Sequence, residues 1–196
     1  MVLTVDEDSQ QLTDLLWVRE AWGLRPAGAD LPPLLVDTPA LVGAPADRAG
    51  WEQAWARLWP AAVAHIADRD DRASFARLSG TADGSPERAV LLSEIFGPSW
   101  RGDVGDDAFG DGHREWARRQ FDAGTRARAR DLTESPEHRS LDALVPAWRA
   151  GLRKVISIPC GGDHVRRVGE HGLLVSAEVR LAPDRYAAAL HAFTGR

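Results

Sequence analysis

The sequence contains very little cysteine, methionine, tyrosine or lysine. Each occurs once, and Cys160 and Lys154 are the only cysteine and lysine. A single cysteine cannot close an internal disulfide, so nothing in the chain requires an oxidising compartment. No apolar run approaches the ~20 residues that span a membrane, and the first residues, MVLTVDEDSQ, are acidic where a secretory signal is basic and then apolar. We therefore expect a cytoplasmic protein with no membrane partner.

The motifs of the common enzyme classes are also absent from the sequence. It contains no phosphate-binding loop of the G-x-x-x-x-G-K-S/T type, no G-x-G-x-x-G turn, no G-x-S-x-G elbow and no H-E-x-x-H helix. No segment repeats with a period of 20 to 50 residues, which argues against a solenoid or a propeller. These absences weaken the familiar enzyme classes, and we expect no cofactor.

The composition is that of an ordinary globular protein. Of the 196 residues, 44% are hydrophobic and 27% are charged, and this length suits one domain covering residues 1–196. The net charge of -5 supports solubility and gives no general attraction to nucleic acid or to anionic membranes. Arginine in place of lysine, with abundant alanine and glycine, indicates a GC-rich bacterial genome and carries no information about activity.

Helical patterns dominate the chain up to about residue 151. Apolar residues at three- and four-residue steps, together with Ser, Pro and Gly at the expected ends, predict helices over 6–23, 47–70, 85–97, 111–132 and 135–151. Pro60 is expected to kink or split the second helix. Residues 24–46 hold five prolines, which exclude a long helix and predict an extended segment on the surface.

After Gly151 the apolar period changes from 3.6 to 2. Residues 154–160, 164–168 and 173–181 are predicted strands joined by glycine-containing turns, and 183–193 is a predicted final helix. The expected fold class is therefore α+β: a mostly helical body over about 1–151, then a small C-terminal antiparallel β-meander and a terminal helix over about 152–196, with helices covering the meander.

The lone cysteine lies in SIPCGGDH, at the end of a predicted strand. Two glycines follow it, and Asp163, His164 and His171 are possible partners for a nucleophilic thiol. However, no predicted helix N-terminus is available to stabilise a thiolate, and a free cysteine is more often a small buried apolar residue. As zinc ligands, Cys160, His164 and His171 lack a fourth member and the usual short paired spacing. Cys160, His164 and Asp163 remain the catalytic candidates of an enzyme hypothesis.

A glycine-rich loop over residues 103–113 is the candidate metal site. Clustered carboxylates can bind Ca²⁺, Mg²⁺ or Mn²⁺, and the loop holds Asp103, Asp106, Asp107, Asp111 and His113. Its spacing does not match the calcium-loop template. The simpler interpretation is a polar turn whose last aspartate, Asp111, caps the following helix.

Several arginines near residue 120 suggest phosphate recognition at first sight; they are Arg118, Arg119, Arg126, Arg128 and Arg130. Helical spacing distributes them over more than one face, aspartates flank them, and the whole chain is acidic. We therefore interpret them as a solvated helix surface and do not expect nucleic-acid binding.

Eight tryptophans are the most unusual feature of the composition. Trp51, Trp55 and Trp59 are spaced as a helical stripe, which predicts a place in the core. Trp100 falls in a predicted loop beside Pro98, so we expect it at a contact surface, where tryptophan often dominates binding.

The leading functional hypothesis is a non-catalytic intracellular protein that binds another protein or itself, as an assembly component or an adaptor. It depends on the missing active-site motifs, the aromatic content and the extended apolar segment LPPLLVDTPALV. Such a segment packs on its own domain or against a partner. The alternative is a small hydrolase or transferase that uses Cys160 with His164, or a metal held by the 103–113 loop.

Overall fold

The computed structural model describes residues 2–7, 9–28, 30–69, 71–127 and 132–195. Helices make up 56% of the structure and strands 10%, which confirms the α+β class. The helices of the described residues are α1 (Gln10–Ala21), α2 (Arg48–Asp68), α3 (Asp71–Ser79), α4 (Pro86–Phe96), α5 (Trp100–Asp103), α6 (Asp111–Ala127), α7 (Pro136–Arg139), α8 (Leu141–Arg149), α9 (Ala177–Leu181) and α10 (Pro183–Thr194). The strands are β1 (Thr4–Asp6), β2 (Lys154–Ile158), β3 (Val165–Val168) and β4 (Gly172–Ser176).

The sheet is mixed, with strand order β1-β2-β4-β3. β2 pairs in parallel with both β1 and β4, and only β3 and β4 are antiparallel. The expected C-terminal antiparallel meander is therefore wrong, and one edge strand comes from the acidic N-terminal segment. The burial of β2 and β4 explains the difference, since both are buried along their whole length and have the apolar character typical of parallel strands.

The third predicted strand, 173–181, changes to helix after Ser176. The Ser176 hydroxyl accepts a hydrogen bond from the Val179 backbone N–H at 3.3 Å, as an N-cap does. The same hydroxyl donates to the Gly162 carbonyl at 2.7 Å. The alternation LLVSAEVRL places valines four residues apart, a spacing that also suits one face of a helix, so the serine cap decides where the strand ends.

Three of the predicted helices differ in continuity. Of the two outcomes predicted for Pro60, a kink or a split, the split does not occur: α2 is continuous through Pro60. Pro60 lies on the exposed face, where a lost backbone hydrogen bond costs least. α6 is likewise continuous through Gly124. The predicted helix over 135–151 divides at Ser140 into α7 and α8.

The sheet separates two hydrophobic cores because alternate strand residues point to opposite faces. Ile156, Ile158 and Leu174 face the tryptophan core, which contains the buried rings of Trp17, Trp55, Trp59, Trp100 and Trp116. Val155, Leu173 and Val175 face the C-terminal core, together with Ala143, Leu144, Ala147, Leu152, Val179, Tyr186, Ala189, Leu190 and Phe193. Tyr186, Leu190 and Phe193 thus share one buried side of α10, as their spacing predicts.

Residues 24–46, called the strap below, connect α1 to α2 over the tryptophan core. Apart from one isolated bridge, the described strap residues form no regular element, which confirms the extended segment expected from the five prolines. Among the described helices, none combines the length and the apolar character needed to cross a membrane.

Candidate functional site

The first anchor of the strap is Arg19, a 6% exposed residue of α1. Its Nη1 donates to the Pro32 carbonyl and its Nη2 to the Pro33 carbonyl, both at 2.6 Å. Nη2 also pairs with Glu20 Oε1 at 3.0 Å, and the guanidinium lies 5.6 Å from the centre of the Trp55 ring. Charge-assisted hydrogen bonds of this kind are strong. The carbonyls of Pro32 and Pro33 have no backbone partner in a described helix or strand, and the guanidinium of Arg19 supplies their hydrogen bonds.

Glu20 is the second anchor and fixes the middle of the strap. Its Oε1 accepts the Leu35 backbone N–H at 2.8 Å, and Leu35 forms an isolated antiparallel bridge with Cys160. The hydrogen bonds of this bridge join Val36 N to Pro159 O and Gly161 N to Leu34 O, each at 3.0 Å. The strap is therefore tied to the end of β2 as well as to α1.

Helix α6 holds the far side of this segment through Asp37. The indole N–H of Trp116 donates to the Asp37 carbonyl at 2.7 Å. Gln120 Nε2 and Arg119 Nε donate to the Asp37 carboxylate at 2.9 and 3.3 Å. Three separate elements thus fix residues 32–37, although these residues have no regular secondary structure.

The strap presents an uncharged aliphatic surface to solvent. Leu34 is 62% and Val36 70% exposed, on either side of Leu35 at 3%, which is the alternation of an extended chain. Leu31, Leu41 and Val42 are also exposed. Asp37 is the only ionisable residue in 31–42, and α6 already binds its carboxylate. We call the exposed side chains of Leu31, Leu34, Val36, Leu41 and Val42 the outer face.

The three catalytic candidates, Cys160, His164 and Asp163, are close in sequence but have different environments and different partners in the structure. Cys160 is fully buried, and burial raises the pKa of its thiol to about 12, with the Glu20 carboxylate acting in the same sense and Arg19 in the opposite sense. Burial and the nearby Arg166 lower the pKa of His164. The His164 Nε2 atom is buried and has no hydrogen-bond partner among the described residues.

Asp163, the third candidate, is bound elsewhere. Its carboxylate accepts from Arg185 Nη1 at 2.9 Å and is largely exposed. Within the described residues no hydrogen bond connects the Cys160 thiol, His164 and Asp163, so the nucleophile–base–orienter arrangement of a catalytic triad is not formed. The thiol is instead a buried neighbour of the strap anchor.

The metal candidates do not converge. Four of the five pair with different side chains: Asp103 with Arg57, Asp106 with Arg101, Asp111 with Arg114, and His113 with Asp14. The fifth, Asp107, lies exposed on the turn. The part of the chain that the structure describes contains no group of three His, Cys, Asp or Glu side chains suited to a metal ion. These arginines neutralise carboxylates that would otherwise attract a metal cation.

Trp100 does not lie at the surface as expected. It is 1% exposed and begins α5, for which Ser99 accepts the Gly102 N–H at 3.2 Å. Its ring packs edge-on against Trp51 with centroids 5.1 Å apart. The loop prediction failed because Ser99 starts a short helix, and that helix turns the indole into the tryptophan core.

The arginines near residue 120 are divided between described and undescribed parts of the chain. Arg119 binds Asp37, as above, and Arg126 Nε donates to the Asp122 carbonyl at 3.0 Å. Arg128 and Arg130 lie outside the described residues. The expectation of no nucleic-acid binding stays a prediction.

The buried polar groups of α1 were not predicted from the sequence. Asp14 accepts from His113 Nε2 at 2.9 Å and from Arg101 Nε at 3.0 Å, while Arg19 and Glu20 hold the strap. All three α1 residues are buried because the helix is covered on every side from Asp14 to Ala21. Apolar periodicity identifies a helix that has one solvent-exposed face. It gives no such signal for a helix that is buried on all sides, as α1 is.

Comparisons of the chain with protein-family models, with curated proteins and with solved structures gave no match. Of the features above, the strap alone combines firm polar anchoring with an exposed apolar face.

Proposed function

We propose that this chain is a non-catalytic bacterial protein that acts in the cytoplasm by binding another protein through the outer face of the strap. The observation that carries the proposal is the exposure of Leu34 and Val36 around the buried Leu35. Five large aliphatic side chains are exposed within twelve consecutive residues, 31–42. Scattered exposed aliphatics are ordinary, but a concentration of them marks interaction surfaces.

The anchors support this proposal because they order the strap before a partner arrives. Arg19 and Glu20 bind the backbone of residues 32–35, and Asp37 is fixed by α6. A segment that is already ordered avoids much of the entropy loss that weakens binding by flexible chains. The contacts of Arg19 and Glu20 lie on the buried side of the strap, so the apolar side chains remain available on the outside.

The chemistry of the outer face defines the partner. Asp37 is its only ionisable neighbour in 31–42 and is already bound by Arg119 and Gln120. Residues 31–42 therefore offer aliphatic area whose single charge is already paired. The partner that fits is a separate protein with an uncharged apolar surface of its own, because charged groups would lose hydration there without compensation.

Site-specific photo-crosslinking in the producing cells tests the proposal. A benzophenone amino acid replaces Leu34 or Val36, and the same substitution at Leu181, an exposed leucine on α9 (56% exposed), is the matched control. We expect one discrete product containing a second protein from positions 34 and 36 and none from 181. The product should disappear when Leu41→Ser and Val42→Ser are combined, because these changes remove neighbouring apolar area.

The double variant must remain folded for this loss to count. Both side chains are exposed, so its free energy of unfolding should stay within about 0.5 kcal/mol of the parent. Equal products from all three positions, or no product from 34 and 36, would contradict the proposal. A product of twice the chain's mass would identify a second copy as the occupant and would contradict a separate partner.

A further inference from the structure

The outer strand β3 has a free edge whose hydrogen-bonding groups can be assigned from its register. Val165 lies opposite Val175, and Arg167 lies opposite Leu173, in the antiparallel pair with β4. The Ser176 N–H donates to the His164 carbonyl at 3.0 Å, so 164, 166 and 168 are the hydrogen-bonded positions. In an antiparallel ladder the intervening residues point their backbone groups the other way. The N–H and C=O of Val165 and Arg167 therefore face outward.

Nothing else in the described chain pairs with this edge. No backbone hydrogen bond outside the β3–β4 ladder involves Val165 or Arg167. Val165 is 43% exposed and Arg167 is also exposed. Two residues thus offer two donors and two acceptors in the arrangement that another strand requires.

An apolar groove lies beside this edge, on the face of the sheet that α10 covers. Its volume is about 340 Å³, and it is lined by Val165, Val179, Ala188, Ala189 and Ala192, with the Asp163–Arg185 ion pair at its rim. A strand added to β3 would place the side chain opposite Val165 on this same face. Because alanines form much of the lining, there is room for an aliphatic side chain.

The charges of β3 select the other residues of an added strand. The side chain of Arg166 lies on the opposite face of the sheet and has no hydrogen bond or ion pair with any described residue. Arg167 stacks over Phe193, 4.3 Å from the ring centre, and donates to the Glu170 carbonyl. Neither guanidinium is paired with a carboxylate, so acidic side chains opposite both would be favourable.

The same charges argue against pairing with a second copy. In the register that brings residues 165–167 of two copies together in antiparallel fashion, each Arg166 faces the other Arg166. Like charges directly opposite one another are destabilising.

We propose that the free edge of β3 binds an extended acidic segment of a partner protein, which adds a fifth, antiparallel strand to the four-stranded sheet. Read from its N-terminus, the segment presents acidic, acidic and aliphatic side chains opposite Arg167, Arg166 and Val165. The aliphatic side chain occupies the groove beside α10. This surface uses no residue of the outer face, so it stands or falls separately from the proposed function.

Peptide binding to the full chain tests this inference. The probe is a short fluorescein-labelled peptide with Glu-Glu-Val at its centre, measured by fluorescence anisotropy, and a Lys-Lys-Val peptide is its control. We expect saturable binding of the acidic peptide below about 1 mM, binding at least roughly tenfold weaker for the basic one, and slower hydrogen exchange at the Val165 and Arg167 amides. A Val-Glu-Glu peptide that bound better would overturn the antiparallel orientation.

Two variants separate the proposed contacts from general effects. Arg166→Glu combined with Arg167→Glu should reverse the preference, so that the basic peptide binds more tightly than the acidic one. Ala188→Glu should abolish binding by placing a charge in the groove, whereas His191→Glu, on an exposed position of α10 outside the groove, should leave binding unchanged. Equal affinity for both peptides, no binding at about 1 mM, or protection confined to amides outside β3 would overturn the inference.

Discussion

The two faces of the sheet carry cores of different construction. The tryptophan core contains five fully buried indoles and is covered by α1, α2, α5, α6 and the strap, whereas the C-terminal core contains no tryptophan and is formed by α8, α9 and α10. The C-terminal core is assembled from regular elements joined by short connections. The tryptophan core also packs against irregular segments, namely the strap and the loop that precedes α6.

The indoles explain how the irregular segments are held. Trp116 donates to the carbonyl of Asp37 in the strap at 2.7 Å, and Trp22 donates to the carbonyl of Ala108 before α6 at 3.1 Å. A tryptophan ring fills a large volume and still provides one polar donor. On this side of the sheet Trp116 and Trp22 therefore fix loops, and the high tryptophan content does not by itself indicate a binding surface.

The buried ion pairs of the two sides differ in the same way. On the C-terminal side, Arg180 binds Glu137 through Nε and Nη2, both at 2.8 Å, and the Tyr186 hydroxyl donates to the same carboxylate at 3.1 Å. On the strap side, Arg19 Nε and Glu20 Oε2 are buried and have no hydrogen-bond partner in the part of the chain that the structure describes. Removing one partner of a buried pair is costly because the other charge stays buried without compensation. On the strap side two backbone carbonyls also lose their donor, so this side should be the more sensitive to substitution.

The largest expected effect is that of Arg19→Met. The change leaves Glu20 as a buried, uncompensated charge and releases two proline carbonyls of the strap. We expect the free energy of unfolding in urea to fall by about 3–5 kcal/mol. Arg57→Met, which removes a fully exposed partner of Asp103, is the control and should cause no measurable change.

The double variant Arg19→Met/Glu20→Gln sharpens this prediction. Neutralising Glu20 removes the uncompensated charge, so part of the lost stability should return. If Arg19→Met were as harmless as Arg57→Met, the buried pair would not be what holds the strap.

A smaller effect should separate the two cores directly. Trp116→Phe removes ring volume and the hydrogen bond to Asp37, and we expect a loss of about 2 kcal/mol in the free energy of unfolding. Tyr186→Phe removes only a hydroxyl from a carboxylate that Arg180 still binds, with an expected loss of about 1 kcal/mol. Equal losses in urea unfolding would contradict the proposed difference between the two sides.

The smallest expected effect concerns Cys160 and appears only at high pH. Burial raises its pKa to about 12 from an ordinary 9.0. Above about pH 9 the unfolded chain releases this proton and the native chain keeps it, so stability should fall with rising pH by at most ~1.4 kcal/mol per unit. In urea unfolding between about pH 8 and pH 10, Cys160→Ala should show the shallower decline, while the raised pKa of Tyr186 acts on both proteins alike.

Thiol chemistry provides an independent check on the same residue. At about pH 8 a disulfide reagent should react with native Cys160 far more slowly than with the urea-unfolded chain. Rapid reaction of the native thiol would contradict its burial and would favour the enzyme hypothesis built on Cys160 and His164.

The accuracy of the sequence predictions depended on how each segment is stabilised. Helix α4 was predicted correctly because Ser85, Pro86 and Gly97 mark both of its ends locally. Strand β4 was extended too far because a period of two continues past Ser176, and only the hydroxyl contacts to Val179 and Gly162 reveal the helix start. The parallel pairing of β1 with β2 could not be predicted, since it joins residues about 150 positions apart.

In the candidate site, too, the features set by nearby residues were predicted and those set by distant residues were not. The five prolines predicted an extended segment and its apolar letters suggested a contact surface, but Arg19, Glu20 and Asp37 were not singled out. Arg19 and Glu20 bind backbone groups of the strap, and Asp37 is bound by side chains of α6. No local pattern records such contacts. Conversely, the 103–113 loop was acidic enough to suggest a metal, and the distant Arg57 and Asp14 decided otherwise.

By itself the sequence determined the α+β class, the helices with local caps, the core position of Trp55 and Trp59, and the extended conformation of the strap. These features depend on caps, proline geometry and apolar period, which act between near neighbours in the chain. Only the tertiary structure decided the strand order, the burial of Trp100 and Cys160, and which side of the strap faces solvent. Those outcomes depend on charges and hydrogen bonds between distant segments, and burial makes these interactions decisive.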